Sequence, residues 1–161
     1  GNGIPDECES VGTPFCFCAS GAPCGNSDPA AGCANSTGSG ALLAGRGGSS
    51  VSADDLVLTA TGLPSTALGL LFMGPSQVAS KPLGDGLRCI TGGLRRYPVQ
   101  KAAGGTVVYS GLVTYANANF PPAGNIFSGS TWHFAHWYRD PGGPCGSNSN
   151  VSSAVSVTFV P

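Results

Sequence analysis

The stretch VSSAVSVTFV, residues 151–160, carries the plainest pattern in the chain. Its apolar residues Val151, Val155, Val157 and Phe159 fall on one side of an extended backbone, because successive side chains of a strand point to opposite faces. Serine and threonine occupy most of the other positions. A period of two with one apolar side is typical of an antiparallel strand that buries one face. The segment is therefore predicted to be a strand.

Other short segments have strand character, and Gly, Pro or Asn lies near each of them. They are residues 52–61, 68–73, 87–90, 106–109, 112–115 and 131–138. No stretch carries apolar residues at helical spacing over three turns, although a short helix around residues 41–45 is left open. Short strands separated by turns indicate an all-β protein, either an antiparallel β-sandwich or a jelly-roll-like fold.

Composition limits the size and the partners. A chain of 161 residues is long enough for one domain and short for two. Charged residues make up 9% of the chain and the net charge is −1, so nothing predicts binding to nucleic acid or to an anionic membrane. The apolar runs are far shorter than the roughly 20 residues that a membrane span needs. We expect neither partner and no membrane span.

Cysteines dominate the first third of the sequence. The seven cysteines are Cys8, Cys16, Cys18, Cys24, Cys33, Cys89 and Cys145. Their spacing fits no zinc motif, so we expect disulfides, and hence a secreted or cell-surface protein. Cys16 and Cys18 project to one face of an extended piece, so they need two different partners. The pairing stays open beyond a suggested Cys89–Cys145 bridge, and the odd cysteine is either free or bonded to another chain.

These features suggest an arm followed by a domain. Residues 1–18 are predicted to be an extended N-terminal arm, and residues 19–161 a single disulfide-stabilised β domain with a disulfide-stapled N-terminal flank. The chain opens on Gly1 without a methionine, which favours an exported form whose leader has been removed. Two N-x-S/T triplets, at Asn35 and Asn150, are candidate glycosylation sites in such a protein.

Residues 132–140 hold both tryptophans and both histidines. In a strand Trp132, Phe134, His136 and Tyr138 share one face, and His133, Trp137 and Arg139 the other. The aromatic residues either form the core or, through Trp132 or Trp137, a platform for sugar. No catalytic motif surrounds either histidine, so we predict no catalytic residues, no cofactor and no metal site.

Carboxylates occur near predicted turns, at Asp54, Asp55 and Asp85. Capping of turns accounts for them most simply. A glycosidase pair would require two carboxylates with displaced pKa values in one cleft, and the sequence indicates no cleft. We therefore predict a structural role for these residues.

The opening residues 1–9, GNGIPDECE, resemble the tail of the D-x-N-x-N-G-I-P-D-E-C-E calcium repeats of secreted bacterial proteins. The leading ligands of those repeats are missing, so Asn2, Asp6 and Glu7 are not expected to bind calcium. A partner for Cys8 in the missing half of the repeat would account for the odd cysteine. Further motifs, FCFC at 15–18, GAPCGN at 21–26, GCANS at 32–36, GDGLRC at 84–89, TW at 131–132, WYRDP at 137–141 and GPCG at 143–146, resemble a Cys/Gly-rich β module of uncharacterised exported bacterial proteins. The resemblance implies the fold and the compartment, and it implies no activity.

Two roles follow from this sequence. The first is an extracellular structural subunit that polymerises head-to-tail with copies of itself into a helical filament, with Val11, Phe15 and Phe17 of the arm donated as a strand to the next copy. The alternative is a monomeric adhesion or carbohydrate-binding module, in which a tryptophan stacks on a bound glycan.

Overall fold

The structure is a computed structural model that describes residues 9–161, and its main sheet is built on the C-terminal strand. Eleven strands are described, with one helix, α1, and one 3-10 turn. Their bounds are β1 Thr13–Phe15, β2 Leu42–Arg46, β3 Val57–Thr61, β4 Leu68–Gly74, β5 Ser76–Leu83, β6 Gly86–Thr91, β7 Arg95–Arg96, β8 Gln100–Lys101, β9 Val107–Tyr109, α1 Leu112–Asn119, the 3-10 turn Pro122–Gly124, β10 Thr131–Arg139 and β11 Ser149–Thr158. The all-β prediction is confirmed.

The strands form three antiparallel layers. The central sheet has the order β1-β11-β10-β4-β7, and β8 also pairs with β4. One face of this sheet packs against the sheet β2-β3-β9 and against α1, which encloses the larger core. The other face packs against the β5–β6 hairpin and encloses a smaller core around Phe72, Ile90 and Val151. The fold is a β-sandwich with a hairpin laid over its back.

Strand β11 is buried on both faces because it lies between these two layers. Val155, Val157 and Phe159 point into the larger core, as the apolar pattern predicts. Val151 points into the smaller one. The register with β10 shifts between the pairs Ala135–Ala154 and Trp137–Val151, which leaves an extra residue in β11. Such a bulge reverses the facing of the residues beyond it, so the expectation that Val151 shares the face of Val155 is wrong.

The segment after β9 is a helix, whereas a strand was expected at residues 112–115. Leu112, Val113 and Ala116 of α1 are buried on one side, and this spacing matches a helical turn. Asp54 reaches across from the loop before β3 and accepts hydrogen bonds from the backbone amides of Val113 and Thr114, both at 2.9 Å. Its carboxylate thus satisfies two of the free N–H groups at the helix start.

Residues 41–45 form no helix, since β2 covers most of them. Leu43 and Gly45 are buried while Ala44 and Arg46 are exposed, which is the alternation of a half-buried strand. The strand expected at 52–61 begins only at Val57, because Val51 to Ala53 make a turn and Asp54 has φ 46°.

The structure contains three disulfides, of which two connect the N-terminal third to the sandwich and one closes a loop within that third. The pairs are Cys16–Cys89, Cys18–Cys33 and Cys24–Cys145. Cys16 and Cys18 therefore take different partners, as predicted, while the suggested Cys89–Cys145 bridge is wrong. Cys8 and the residues resembling a calcium repeat, Asn2, Asp6 and Glu7, lie outside the described residues. Bonds of this kind are typical of proteins from oxidising compartments.

Candidate functional site

An open groove lies between the back of the central sheet and the β5–β6 hairpin. Its volume is about 290 Å³. The sheet supplies its floor, because Trp137 of β10 lies opposite Leu70 of β4, and Phe72 lies opposite Arg96 of β7. The hairpin and the turn that follows it complete the lining with Leu83, Arg88 and Leu94.

Trp137 is the one tryptophan of this groove, and it is half-buried. The guanidinium carbon of Arg139, two residues along the same face, lies 5.6 Å from the centroid of its ring. Trp132 points to the opposite face and is buried in the larger core. Of the two tryptophans considered for a sugar platform, the fold leaves only Trp137 accessible.

The groove combines apolar walls with positive charge. Arg88 is half-buried in β6 and Arg96 is exposed in β7, and both line the groove. No carboxylate is among its lining residues in the described part of the chain. An aromatic ring beside two guanidinium groups can stack on a flat, partly apolar ligand and hydrogen-bond to its oxygens.

The sequence did not single out these arginines. The doublet Arg95-Arg96 is conspicuous in a chain with so few charges, but nothing in its spacing relates it to Arg88 or to Trp137. The three positions meet only because β7 pairs with β4 and the hairpin folds over the sheet.

The two histidines belong to the packed interior. Tyr109 Oη lies 2.9 Å from Nδ1 of His136, and burial lowers the pKa of His136 to about 4. Burial also lowers the pKa of His133, whose ring meets that of Phe15 edge to face at 5.6 Å. Both rings are therefore largely neutral at pH 7. The alternation of faces predicted along β10 is confirmed.

Two of the three carboxylates considered for turn capping, Asp54 and Asp85, accept backbone hydrogen bonds, and so does Asp140. Asp85 lies in the β5–β6 turn, is fully buried, and accepts N–H groups from Cys145 and Ser147, both at 3.1 Å. Asp54 caps α1 as described above. Asp140, also fully buried, accepts the N–H of Ser36 at 2.9 Å.

Both sequon asparagines, Asn35 and Asn150, are buried in the folded chain, which argues against a glycan at either site. Asn35 is 3% exposed, and its Nδ2 donates to the Gly62 carbonyl and to Tyr138 Oη. Asn150 is fully buried, and its Nδ2 donates to the Cys33 carbonyl at 3.2 Å. A glycan on either nitrogen would displace these hydrogen bonds. The burial of both side chains also leaves no space for it.

The described part of the N-terminal arm belongs to the chain's own sheet. Thr13, Pro14 and Phe15 pair with Ser156, Val155 and Ala154 of β11. Val11 packs against the larger core and Phe15 against the smaller one, while Phe17 is half-buried. In the single chain, residues 13–15 are therefore an edge strand of the sandwich, continuous with the domain that was expected to begin at residue 19.

Within residues 9–161, no group of three or more His, Cys, Asp or Glu side chains is arranged to hold a metal ion. In the same range, no helix has the length and apolar character to cross a membrane. Comparisons of the chain with protein-family models, curated proteins and solved structures gave no match.

Proposed function

We propose that this protein is an extracellular carbohydrate-binding module whose ligand lies in the groove beside Trp137. The proposal rests on one observation: Trp137 packs against the smaller core and yet is only half-buried, so part of its ring lines a groove of about 290 Å³. A flat aromatic ring stacks well on the C–H face of a sugar, and the partial burial holds the ring in place for it.

The size of the groove fits this role. Ligand pockets span roughly 300 to 1,000 Å³, and this groove lies at the lower end of that range. It therefore suits one or two sugar units of a longer chain. An adhesion module gains strength from many such weak contacts along a polymer.

Affinity electrophoresis through gels that contain soluble polysaccharides tests the proposal. We expect at least one neutral or acidic polysaccharide to retard the wild-type protein, and Trp137→Ala to migrate freely. Phe127→Ala is the matched control, because Phe127 is 63% exposed and does not line the groove. Equal retardation of Trp137→Ala and wild type, or no retardation by any polysaccharide, contradicts the proposal.

The filament of copies is the second candidate, and the position of β1 favours it. The three residues of β1 pair with β11 at the edge of the sheet. If β1 of a neighbouring copy took this place, it would make the same hydrogen bonds. Against it, the Cys16–Cys89 bond ties the residue after Phe15 to its own domain. This bond shortens the reach of any donated strand, so we rank the filament second.

Size-exclusion chromatography and electron microscopy of the oxidised protein separate the two candidates. A filament predicts polymers that a variant without residues 1–15 cannot form. A monomer of 15.9 kDa at high protein concentration contradicts the filament and is what the binding module predicts.

A further inference from the structure

Positive charge is concentrated around the groove in a chain that has little of it. The chain has seven Lys and Arg residues in all. Two of them, Arg88 and Arg96, line the groove, and Arg139 lies over the ring of Trp137. Lys81 pairs with Arg88 across the β5–β6 hairpin. The groove therefore carries a local positive field although the net charge of the chain is −1.

Four carboxylates in the described part of the chain accept backbone hydrogen bonds away from the groove. Asp54, Asp85 and Asp140 accept backbone N–H groups elsewhere in the fold, and Asp28 accepts those of Ala30 and Gly40. Across residues 9–161, neither Arg88 nor Arg96 has an ion-pair partner, and no carboxylate lines the groove. Within the described residues, two guanidinium groups thus line a ligand space that holds no carboxylate.

Resting on the function proposed above, we propose that the ligand is an acidic glycan, a polymer whose sugar units carry carboxylates. The planar guanidinium group matches a carboxylate with two parallel N–H···O bonds, which a neutral hydroxyl cannot accept in the same way. The apolar side chains of Leu83 and Leu94 line the same space, and apolar surroundings strengthen a charge interaction relative to open water. Trp137 stacks on the sugar ring while the arginines hold its carboxylate.

The test uses polygalacturonic acid and the same polymer after chemical reduction of its carboxylates to alcohols. Binding is followed by tryptophan fluorescence, since Trp137 lines the groove while Trp132 is buried. We expect the acidic polymer to bind at least tenfold more tightly than the reduced one. The affinity for the acidic polymer should also fall between 50 and 500 mM NaCl, because salt screens the charges.

Substitutions that each remove one positive charge test whether the groove binds the acidic polymer. Arg88→Gln and Arg96→Gln should each weaken binding of the acidic polymer roughly tenfold, which corresponds to about 1.4 kcal/mol. Lys101→Gln is the matched control, because Lys101 is an exposed cation of β8 that does not line the groove. Its affinity should equal that of the wild type. Thermal unfolding of each variant checks that the fold is retained.

The outcomes separate the two proposals. If the reduced polymer binds as well as the acidic one and Trp137→Ala abolishes both, the carbohydrate-binding function stands and the acidic ligand is refuted. The acidic ligand is also refuted if Arg88→Gln and Arg96→Gln bind like Lys101→Gln. If the groove binds octanoate, an apolar anion, and no polysaccharide, both proposals fail.

Discussion

The side-chain amide of Asn35 donates a 2.9 Å hydrogen bond to the hydroxyl of Tyr138, and both groups are buried between the layers of the sandwich. The same amide also donates to the Gly62 carbonyl at 2.8 Å, while Asn35 Oδ1 accepts from the N–H and the hydroxyl of Thr37. A residue that belongs to a glycosylation triplet in the sequence thus connects a loop to the core of the main sheet.

Loss of this connection should destabilise the fold. Replacing Asn35 by alanine leaves the Gly62 carbonyl without its buried donor, so we expect Asn35→Ala to lower the free energy of unfolding by about 1–3 kcal/mol. Asn119→Ala is the control, because Asn119 is exposed, and we expect a change below about 0.5 kcal/mol. Urea unfolding of both variants measures the difference. Equal stabilities would contradict the assigned role of Asn35.

Secreted protein that folds should carry no sugar at Asn35 or Asn150. Intact-mass spectrometry of the soluble protein from a glycosylating host is expected to give the unmodified mass at both sites. A glycan on either asparagine in folded protein would contradict their burial.

The disulfide pairing can be tested directly. Digestion without reduction should release the linked peptides Cys16–Cys89, Cys18–Cys33 and Cys24–Cys145, and a Cys89–Cys145 peptide would contradict the fold. Loop-closure entropy grows with the length of the enclosed chain, and the sequence separations are 73, 15 and 121 residues. Paired alanine substitution should therefore cost about 3 kcal/mol for Cys18–Cys33 and about 4–5 kcal/mol for each of the others.

The structure of a segment could be predicted where the segment's own pattern determines it. β10 and the apolar positions 155–159 of the C-terminal segment have a period of two that no local feature disturbs, so their conformation could be predicted. The bulge that places Val151 in the smaller core arises from the pairing of β11 with β10. The sequence of β11 alone does not reveal this pairing. The backbone of Gly32 lies so close to residues 151–153 of β11 that a Cβ at position 32 would clash, and the sequence of β11 does not reveal this contact either.

The helix α1 and the groove also depend on contacts between segments that are far apart in the sequence. Residues 112–119 become helical because Asp54 caps them from a loop 59 residues earlier and their buried side faces the core. Trp137 could be proposed from the sequence as a ligand-binding residue, because an aromatic residue in a strand is either packed in a core or available to a ligand. Arg88 and Arg96 could not, since tertiary pairing alone brings them to its groove.

The contact of Asp54 with α1 gives a prediction about the stability of the helix. Asp54→Ala removes both hydrogen bonds to the start of α1, and we expect it to lower the free energy of unfolding by about 1–2 kcal/mol, as for other helix caps. Asp54→Asn keeps one acceptor oxygen and should recover part of the loss. Chemical unfolding followed by circular dichroism compares the three proteins. An alanine variant as stable as the wild type would show that the cap does not support the helix.

The buried imidazole of His136 predicts how stability depends on pH. Its pKa is about 4 in the folded chain, where burial disfavours the charged ring, and about 6.5 in the unfolded chain. Between these values the unfolded state binds a proton that the folded state does not, so the free energy of unfolding falls as the pH is lowered from 6.5 to 4. The slope approaches about 1.4 kcal/mol per pH unit, for a total near 3 kcal/mol.

Urea unfolding at half-unit pH steps measures this slope, and His136→Gln isolates it. The glutamine side chain does not titrate, so the variant should lose most of the decline between pH 6.5 and 4, whatever its stability at pH 7. The burial of His133 contributes in the same direction, because its pKa is lowered too, so His133→Gln should flatten the curve further in the double variant. A His136→Gln curve parallel to that of the wild type would mean that the imidazole is protonated within the fold, and that its hydrogen bond with Tyr109 is made by a charged ring.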